Sequence, residues 1–285
     1  MATAKKTASK APKGSGKSTA LVPWTEKFGQ YARQSTEQVK DIGGSGVGVS
    51  FGHNDITVAG KSVGKSFEVI ILGSTPHNRY FKSQYNKDDR QPPDCYAFAP
   101  LDPEHPGLTM PGSDPEMAPH PMVLHKESDK CASCPQNVFG TARNGNGKAC
   151  GNTLRLGLVL AKDVDDADGA KSAELATASV SPTNLKNYKK YIDTLADDHG
   201  RPPWSVVTEI TSHDDKDTQI RLEFRLVDEI NDDGILVELE RRFLKIQDEL
   251  QKPYSAPVDK KKGAGAGAAV GRGAKFAGGA RKGAR

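Results

Sequence analysis

The chain lacks any apolar run near the length of about 18 residues that crosses a bilayer, so we expect no membrane span. Apolar residues are scarce and make up only 35% of the 285 residues, a low share for a wholly globular protein. The shortage lies at the two ends: residues 1–20 hold five lysines and no acid, and residues 259–285 hold eight basic residues and one acid. Such segments bury too little apolar surface to offset the entropy of ordering the chain. We therefore expect disordered basic tails at 1–20 and 252–285.

Acid is also missing from one internal segment. Residues 130–155 contain Lys130, Arg143, Lys148 and Arg155 but no Asp or Glu. The net charge is +4 and the two ends carry +5 and +7, so the rest of the chain carries −8. Segment 130–155 is therefore a local basic patch on an acidic body. It would either offset the charge of a thiolate-bound metal or contact phosphate.

Cysteine is the scarce residue whose placement is most informative. The segment between the last two cysteines contains only Val138 and Phe139 as large apolar residues, so it cannot hold its shape by burial. A C-x-x-C spacing lets one tight turn present two sulfurs to one ion. The sequence therefore predicts a structural zinc ion bound by all four cysteines of the chain, which are Cys95, Cys131, Cys134 and Cys150.

Other roles for these cysteines stay open. Two disulfides would suit a secreted chain, but the sequence shows no recognisable signal peptide. An iron–sulfur cluster can also use four cysteines, and His120 or His125 could replace Cys95 as a zinc ligand. A redox role is disfavoured because the C-x-x-C pair does not follow a strand and open a helix. A full shell of four thiolates leaves no open coordination position, so the metal would be structural rather than catalytic.

Alternation of apolar and polar residues predicts several short strands. They are expected at 47–51, 56–58, 66–73, 154–161, 174–180, 204–212 and 219–227. The alternation is clearest in 219–227, where the apolar members are Ile220, Leu222, Phe224 and Leu226. Helical spacing of apolar residues predicts helices at 183–199 and 233–251. The proline-rich stretch 74–150 is predicted to have little regular structure.

The order of these elements predicts a small barrel. If neighbouring short strands are counted together and the stretch 74–150 is left out, the chain runs through three strands, a helix and two strands, which is the order in a five-stranded OB barrel. We therefore expect an α+β protein, mainly β with two helices, whose OB-like domain spans 46–251. Within it, 74–150 would be a long zinc-stapled insertion and 233–251 a C-terminal helix. Residues 21–45, with Trp24 and Phe28 at helical spacing, would form an N-terminal arm.

The cysteine segment carries a resemblance to a known group. The strip from PPDCYAF through KCASCPQNVFGTARNGNGKACGN to RLGLVLA resembles bacteriophage single-stranded-DNA-binding proteins built on an OB fold with a zinc loop. The resemblance covers roughly residues 66–227. It implies a non-enzymatic protein that coats single-stranded DNA in the cytoplasm of the infected bacterial host, with phage replication proteins as partners. Many single-strand binders end in an acidic tail, whereas this chain ends in RGAKFAGGARKGAR, which favours direct contact between tail and nucleic acid, with a solubilising tail as the alternative.

Single-strand binding is also predicted from the residues themselves. Such sites combine a basic groove with exposed aromatic rings on which bases stack. Residues 79–98 interleave both kinds of side chain, and Arg221 and Arg225 point away from the predicted barrel core, where a solvated face is the alternative. The candidate nucleic-acid-binding residues are Arg79, Tyr80, Lys82, Tyr85, Lys87, Arg143, Lys148, Arg155, Arg221 and Arg225.

Two other functions remain as alternatives. The acidic runs DVDDAD and HDDKD could bind the catalytic metal of a nuclease, although solvated loops are their simpler interpretation. A zinc-stabilised interaction or regulatory protein could touch nucleic acid through its tails alone. The phosphate-loop-like APKGSGKST at 11–19 is rejected, because neither a buried strand before it nor a helix after it is predicted.

Overall fold

The computed structural model describes Trp24, Phe28 and residues 48–83, 91–110, 116–143, 145 and 147–254. Its strands are β1 (Val49–Gly52), β2 (Asp55–Val58), β3 (Lys61–Gly64), β4 (Ser66–Tyr80), β5 (Cys95–Phe98), β6 (Cys150–Leu160), β7 (Ala176–Val180), β8 (Val206–Asp215) and β9 (Gln219–Glu229). Its α-helices are α1 (Ala167–Ser172), α2 (Leu185–Thr194), α3 (Asp233–Phe243) and α4 (Ile246–Leu250). Residues 1–20 and 255–285, predicted to be disordered, and most of the arm at 21–45 lie outside the described residues. Residues 252–254 of the tail predicted at 252–285 are described, and the Tyr254 ring packs against Tyr96. None of the helices in the described part of the chain has the length and apolar character needed to cross a bilayer.

The large sheet is antiparallel and is centred on β4. Its strands lie in the order β7-β6-β4-β8-β9, and β5 pairs with the last residues of β4. The small sheet β1-β2-β3 meets β7 through a parallel bridge between Gly48 and Thr177. Within the described residues neither sheet closes into a barrel. The predicted class, α+β and mainly β, is confirmed.

One face of the large sheet is covered by α2. The predicted alternation in β9 is confirmed, because Leu222 is buried here while Arg221 and Arg225 are exposed. Phe224 of β9 contacts the rings of two tyrosines of α2. The residues at the centre of this core are Leu154, Leu156, Leu158, Tyr188, Tyr191, Ile192, Val206 and Ile210. Burial of this apolar surface positions the sheet against α2.

The opposite face is covered by α3 and α4. Trp204, which is 1% exposed, lies among these helices, and its ring centroid is 5.9 Å from those of Phe28 and Phe243. Trp24 stacks on Phe28, and the Arg201 guanidinium lies 4.6 Å from the centroid of the Phe28 ring. These two aromatic residues of the predicted arm therefore pack against the folded domain.

The helices differ from the sequence prediction in three places. Helix α2 ends at Thr194 and continues as a π-helical turn over Leu195–His199. The helix predicted at 233–251 is interrupted at residues 244–245, between α3 and α4. The acidic stretch that we expected to be a loop contains α1, because the Asp166 side chain caps it by accepting a hydrogen bond from the Gly169 N–H at 2.7 Å.

The stretch predicted to be irregular, 74–150, is more ordered than expected. Strand β4 continues to Tyr80 rather than ending at residue 73, and β5 pairs with its last four residues. A register shift between Ile71 and Gly73 marks a bulge in β4, which increases local strand twist. The continuation carries the strand directly to the cysteines.

A close approach of α4 to the sheet depends on two glycines. Gly73 and Gly157 are cross-strand partners beneath Ile246, and a Cβ at Gly73 would come within 2.7 Å of the Ile246 Cγ2 atom. Gly73→Ala is therefore expected to lower the free energy of unfolding by about 1–3 kcal/mol, the usual cost of overpacking. Urea unfolding measures this cost. In an Ile246→Ala background the added methyl group has room and should cost much less, and equal costs in both backgrounds would contradict the steric cause.

Candidate metal centre and nucleic-acid interface

Three strands bring two of the cysteines to one end of the large sheet. In the strand register, Tyr80 at the end of β4 pairs with Cys95 at the start of β5 and with Cys150 at the start of β6. Residues directly opposite each other on paired strands share a face of the sheet. The two single cysteines therefore flank Tyr80, although 54 positions of sequence separate them.

The C-x-x-C pair reaches the same place through a hydrogen-bonded turn. The Cys131 N–H donates to the Met117 carbonyl at 2.9 Å, and the Cys134 N–H donates to the Cys131 carbonyl at 3.3 Å. The Asn137 side-chain amide also donates to the Cys131 carbonyl at 2.9 Å. Loop hydrogen bonds, rather than a large apolar core, therefore shape this turn.

All four cysteines line one small cavity. Its other walls include Asn78, Tyr80, Tyr96 and Asn137, and all four cysteines are free thiols. Burial is the main cause that raises the pKa of Cys131 to about 11 and that of Cys150 to about 12, and the neighbouring cysteines raise both. Burial also raises the pKa of Cys95. The expected meeting of four cysteines at one site is thus found as a shared cavity.

The donor set of this cavity fits zinc, but the thiols are not drawn together on a single point. No three His, Cys, Asp or Glu side chains in the described ranges are arranged so that they could hold a metal ion. Four sulfurs are the ligand set of a closed tetrahedral zinc site. Binding would require the thiols to lose their protons and to move toward a common centre. His120, weighed as a substitute ligand, instead stacks on Tyr96 with its ring centroid 5.1 Å away.

The basic segment beyond the C-x-x-C pair forms a short hairpin at the same end of the sheet. Phe139 and Lys148 form an antiparallel bridge, and the Lys148 Nζ lies 5.2 Å from the centroid of the Phe139 ring. Arg143, near the tip, is exposed. Because Lys148 precedes Cys150 by two residues, the hairpin emerges beside the cysteine cavity.

A second aromatic ring with a nearby cation follows the end of β4. The Arg79 guanidinium is partly buried and lies 5.8 Å from the centroid of the exposed Phe81 ring. Lys82 is exposed and forms an ion pair with Glu127 at 2.9 Å. Tyr80, predicted to stack on bases, is partly buried and lines the cavity instead. Tyr85 and Lys87, also predicted to bind nucleic acid, lie outside the described residues.

Arg155 requires a correction, because it is buried rather than available to nucleic acid. Its side chain is 6% exposed, its Nη1 donates to the Leu250 carbonyl at 2.6 Å, and its guanidinium lies 5.4 Å from the Phe98 ring centroid. Burial lowers its pKa. Arg155 therefore joins β6 to the end of α4.

Two predicted arginines of β9 lie on the exposed face, each beside a carboxylate. The Arg221 Nη2 is 2.8 Å from Glu223, and the Arg225 Nη2 is 3.0 Å from Glu209. Exposed ion pairs of this kind contribute little stability, so a phosphate could compete for either arginine. Both arginines lie outside the acid-free segment 130–155 in the sequence. Each has a carboxylate as a neighbour.

Two exposed rings were missed as candidate site residues by sequence reasoning. Phe139 is 76% exposed and Phe81 is 39% exposed. A signal for Phe139 existed: it lies in a segment with almost no other apolar residue to pack against and no acid. Phe81 gave no such signal, because the end of β4 was not predicted.

Comparison with known proteins adds no family: no protein-family model, curated protein or solved structure matches the chain. The features that bear on function are therefore the cysteine cavity, the acid-free hairpin and the exposed rings at one end of the sheet.

Because Arg155 is buried, we expect its substitution to affect the stability of the fold but not the affinity for DNA. Arg155→Ala should lower the free energy of unfolding by about 2–3 kcal/mol, because a hydrogen bond to a charged donor is lost. Its affinity for single-stranded DNA should remain unchanged at a temperature where the variant is folded. Arg143→Ala, in the exposed hairpin, is the matched control and should leave stability unchanged. Chemical denaturation and fluorescence anisotropy measure the two effects, and a binding defect in folded Arg155→Ala would restore its predicted role.

Proposed function

We propose that this protein binds single-stranded DNA without sequence specificity and that a structural zinc ion organises its binding loop. One observation carries the proposal: the acid-free segment 130–155 folds beside the cavity lined by all four cysteines. At this end of the sheet, two exposed aromatic rings, Phe81 and Phe139, each have a cation nearby. Sequence-tolerant binding of single strands uses this combination of basic groups and stacking rings.

The topology supports an OB-like fold for the domain. If β4, β6, β7, β8 and β9 are numbered one to five, their order in the sheet becomes three-two-one-four-five. The first strand then pairs with the second and the fourth, and α2 lies between the third and the fourth, as in an OB barrel that is open between strands three and five. The OB fold is a partly open barrel whose loop between strands one and two contributes to oligonucleotide binding. Here that loop is residues 81–149, which contain three of the cysteines.

The proposed zinc ligands are Cys95, Cys131, Cys134 and Cys150. When bound, zinc would hold four sulfurs at one point and contribute folding free energy, without an open position for catalysis. The four ligands come from three parts of the chain: Cys95 from the start of β5, Cys131 and Cys134 from the C-x-x-C turn, and Cys150 from the start of β6. Joining them would fix the direction in which the hairpin leaves the sheet.

The biological role that we propose rests on the resemblance of the cysteine segment to phage proteins. That resemblance supports a protein without catalytic activity that coats single strands during phage DNA replication or recombination. It would act in the cytoplasm of the infected bacterium, alongside phage replication proteins. The binding surface would consist of the exposed basic candidates Lys82 and Arg143 and the partly buried Lys148, with Arg79 beside Phe81.

A gel-shift experiment with magnesium but without chelator tests this function. Oligo(dT) of increasing length, mixed-sequence single strands and duplexes of equal length are compared. The proposal expects tight, length-dependent binding of single strands, weak duplex binding and no cleavage. Magnesium-dependent strand breakage would instead identify a nuclease. Equal weak binding to every polyanion, including heparin, that disappears without residues 1–20 and 252–285 would identify a protein that touches nucleic acid only through its ends.

A further inference from the structure

The hairpin that carries Phe139 is anchored by its own hydrogen bonds. The Gly140 N–H donates to the Gly147 carbonyl at 2.9 Å, and the Ala142 N–H donates to the same carbonyl at 3.0 Å. The Thr141 hydroxyl donates to the Val138 carbonyl at 2.7 Å and accepts from the Ala149 N–H at 2.9 Å. Hydrogen bonds between the described residues of this hairpin thus hold the Phe139 ring in position, which reduces the entropy that a ligand must offset on binding.

Among the described residues, Lys148 is the neighbour that lies over the Phe139 ring. The Lys148 ammonium lies over the ring, 5.2 Å from its centroid, and the residue is nonetheless 76% exposed. Val138, next to it, is 56% exposed. The Lys148 ammonium fixes the orientation of the Phe139 ring. The ring is therefore an exposed surface in a defined position, rather than an apolar side chain that merely packs poorly.

The charges around the ring indicate what it would contact. Residues 130–155 contain no acid, and of the two hairpin cations Arg143 follows Phe139 by four positions while Lys148 pairs with Phe139 across the hairpin. An apolar protein surface would gain nothing from these cations, whereas a nucleic-acid strand presents flat bases and phosphates at regular intervals. Charge complementarity therefore favours a single strand as the occupant over a protein partner.

We propose that Phe139 is a base-stacking residue of this protein. A nucleobase stacks on the ring face opposite Lys148, while Lys148 and Arg143 contact the phosphates on either side of that base. The inference deepens the proposed single-strand binding and rests on it. Phe139 replaces Tyr80 and Tyr85, the rings favoured by sequence, as the main stacking contact.

Oligo(dT) and an abasic strand of equal length separate stacking from phosphate contact. Phe139→Ala is expected to weaken oligo(dT) binding roughly ten- to a hundredfold, the effect of losing one stacked base. Its binding of the abasic strand, measured by fluorescence anisotropy at the same salt concentration, should stay within about twofold of wild type, since no base is there to stack. Val138→Ala, on the same hairpin, is the control and should leave both affinities unchanged.

Phe139→Trp supplies a direct signal. Its added fluorescence, compared with that of the wild-type chain and its two tryptophans, should be quenched by oligo(dT) but not by the abasic strand. Equal affinities of wild type and Phe139→Ala for oligo(dT) would overturn the stacking role and leave single-strand binding intact. Absence of oligo(dT) binding by the wild type would instead reject the proposed function itself. Loss of binding to a protein partner without any change toward oligo(dT) would assign the ring to protein contact.

Discussion

Replacing both Cys131 and Cys134 with serine is expected to abolish zinc binding and to lower the melting temperature by about 8–16 °C. A ligand at 1,000 times its dissociation constant stabilises the folded state by about 4 kcal/mol, and each kcal/mol shifts the melting temperature by about 2–4 °C in a domain of this size. The effect should be large because the C-x-x-C turn is shaped by hydrogen bonds within the loop and contributes little apolar core. Metal analysis of the purified protein and differential scanning fluorimetry measure both outcomes.

The adjacent serine provides a matched control for the double cysteine variant. Ser133 lies between the two cysteines, and its hydroxyl makes long contacts of 3.4 Å with the Ser128 hydroxyl and the Lys130 carbonyl, so Ser133→Ala should keep both the metal and the melting temperature. Wild-type protein treated with a chelator should resemble the cysteine variant, and added zinc should restore only the wild type. If the purified wild type contains no stoichiometric metal and the cysteine variant melts unchanged, the four cysteines are ordinary free thiols and the zinc proposal is wrong.

The regular strands were predictable because their side chains alternate between two different environments. In β9, apolar residues face α2 and charged residues face solvent, so a period of two identifies both the strand and its orientation. In β6, Leu154, Leu156 and Leu158 identify the face toward α2 in the same way. The sequence therefore located the main core without any knowledge of its partners.

The end of β4 was not predictable from the same rules, because Gly73 and Pro76 normally interrupt strands. The structure shows why Pro76 is tolerated. Its carbonyl accepts a hydrogen bond from the Ala99 N–H at 3.0 Å, just beyond the end of β5. In a strand the nitrogen and carbonyl of one residue point to the same side, so the missing N–H of Pro76 lies where the β5 ladder has ended. Sequence alone does not reveal that a partner strand stops at this residue.

Arg155 illustrates a different limit of sequence reasoning. Alternation in β6 correctly places it on the face opposite Leu154 and Leu156, and such a face is often open to solvent. Here the carbonyl of Leu250, at the end of α4, and the ring of Tyr254 cover it, from about a hundred positions further along the chain. A basic residue in an acid-free segment was therefore interpreted as a phosphate contact when its real partners are backbone and aromatic groups of a distant segment.

Deleting residues 259–285 is expected to change the salt dependence of single-strand binding more than any substitution in the folded domain. The segment carries eight basic residues, and each phosphate neutralised on a single strand changes the slope of log K against log salt by about −0.7. If all eight contact phosphate, the full chain should lose up to about 10³-fold more affinity than the deletion variant between 50 and 200 mM salt. Anisotropy titrations with oligo(dT) at several salt concentrations measure both slopes.

The deletion also separates the folded surface from the basic segment as the source of specificity. A full-length variant with the eight basic residues replaced by glutamine controls for chain length and should behave like the deletion. The remaining chain would keep a shallow slope from cations such as Lys82, Arg143 and Lys148, together with its preference for single strands, because the stacking rings are still present. Equal slopes for full-length and deleted protein would mean that the segment does not contact DNA. If the deletion variant lost all preference for single strands, the folded domain would not be the part that recognises them. The body of the protein is acidic, so without stacking contacts it would not attract a phosphate backbone.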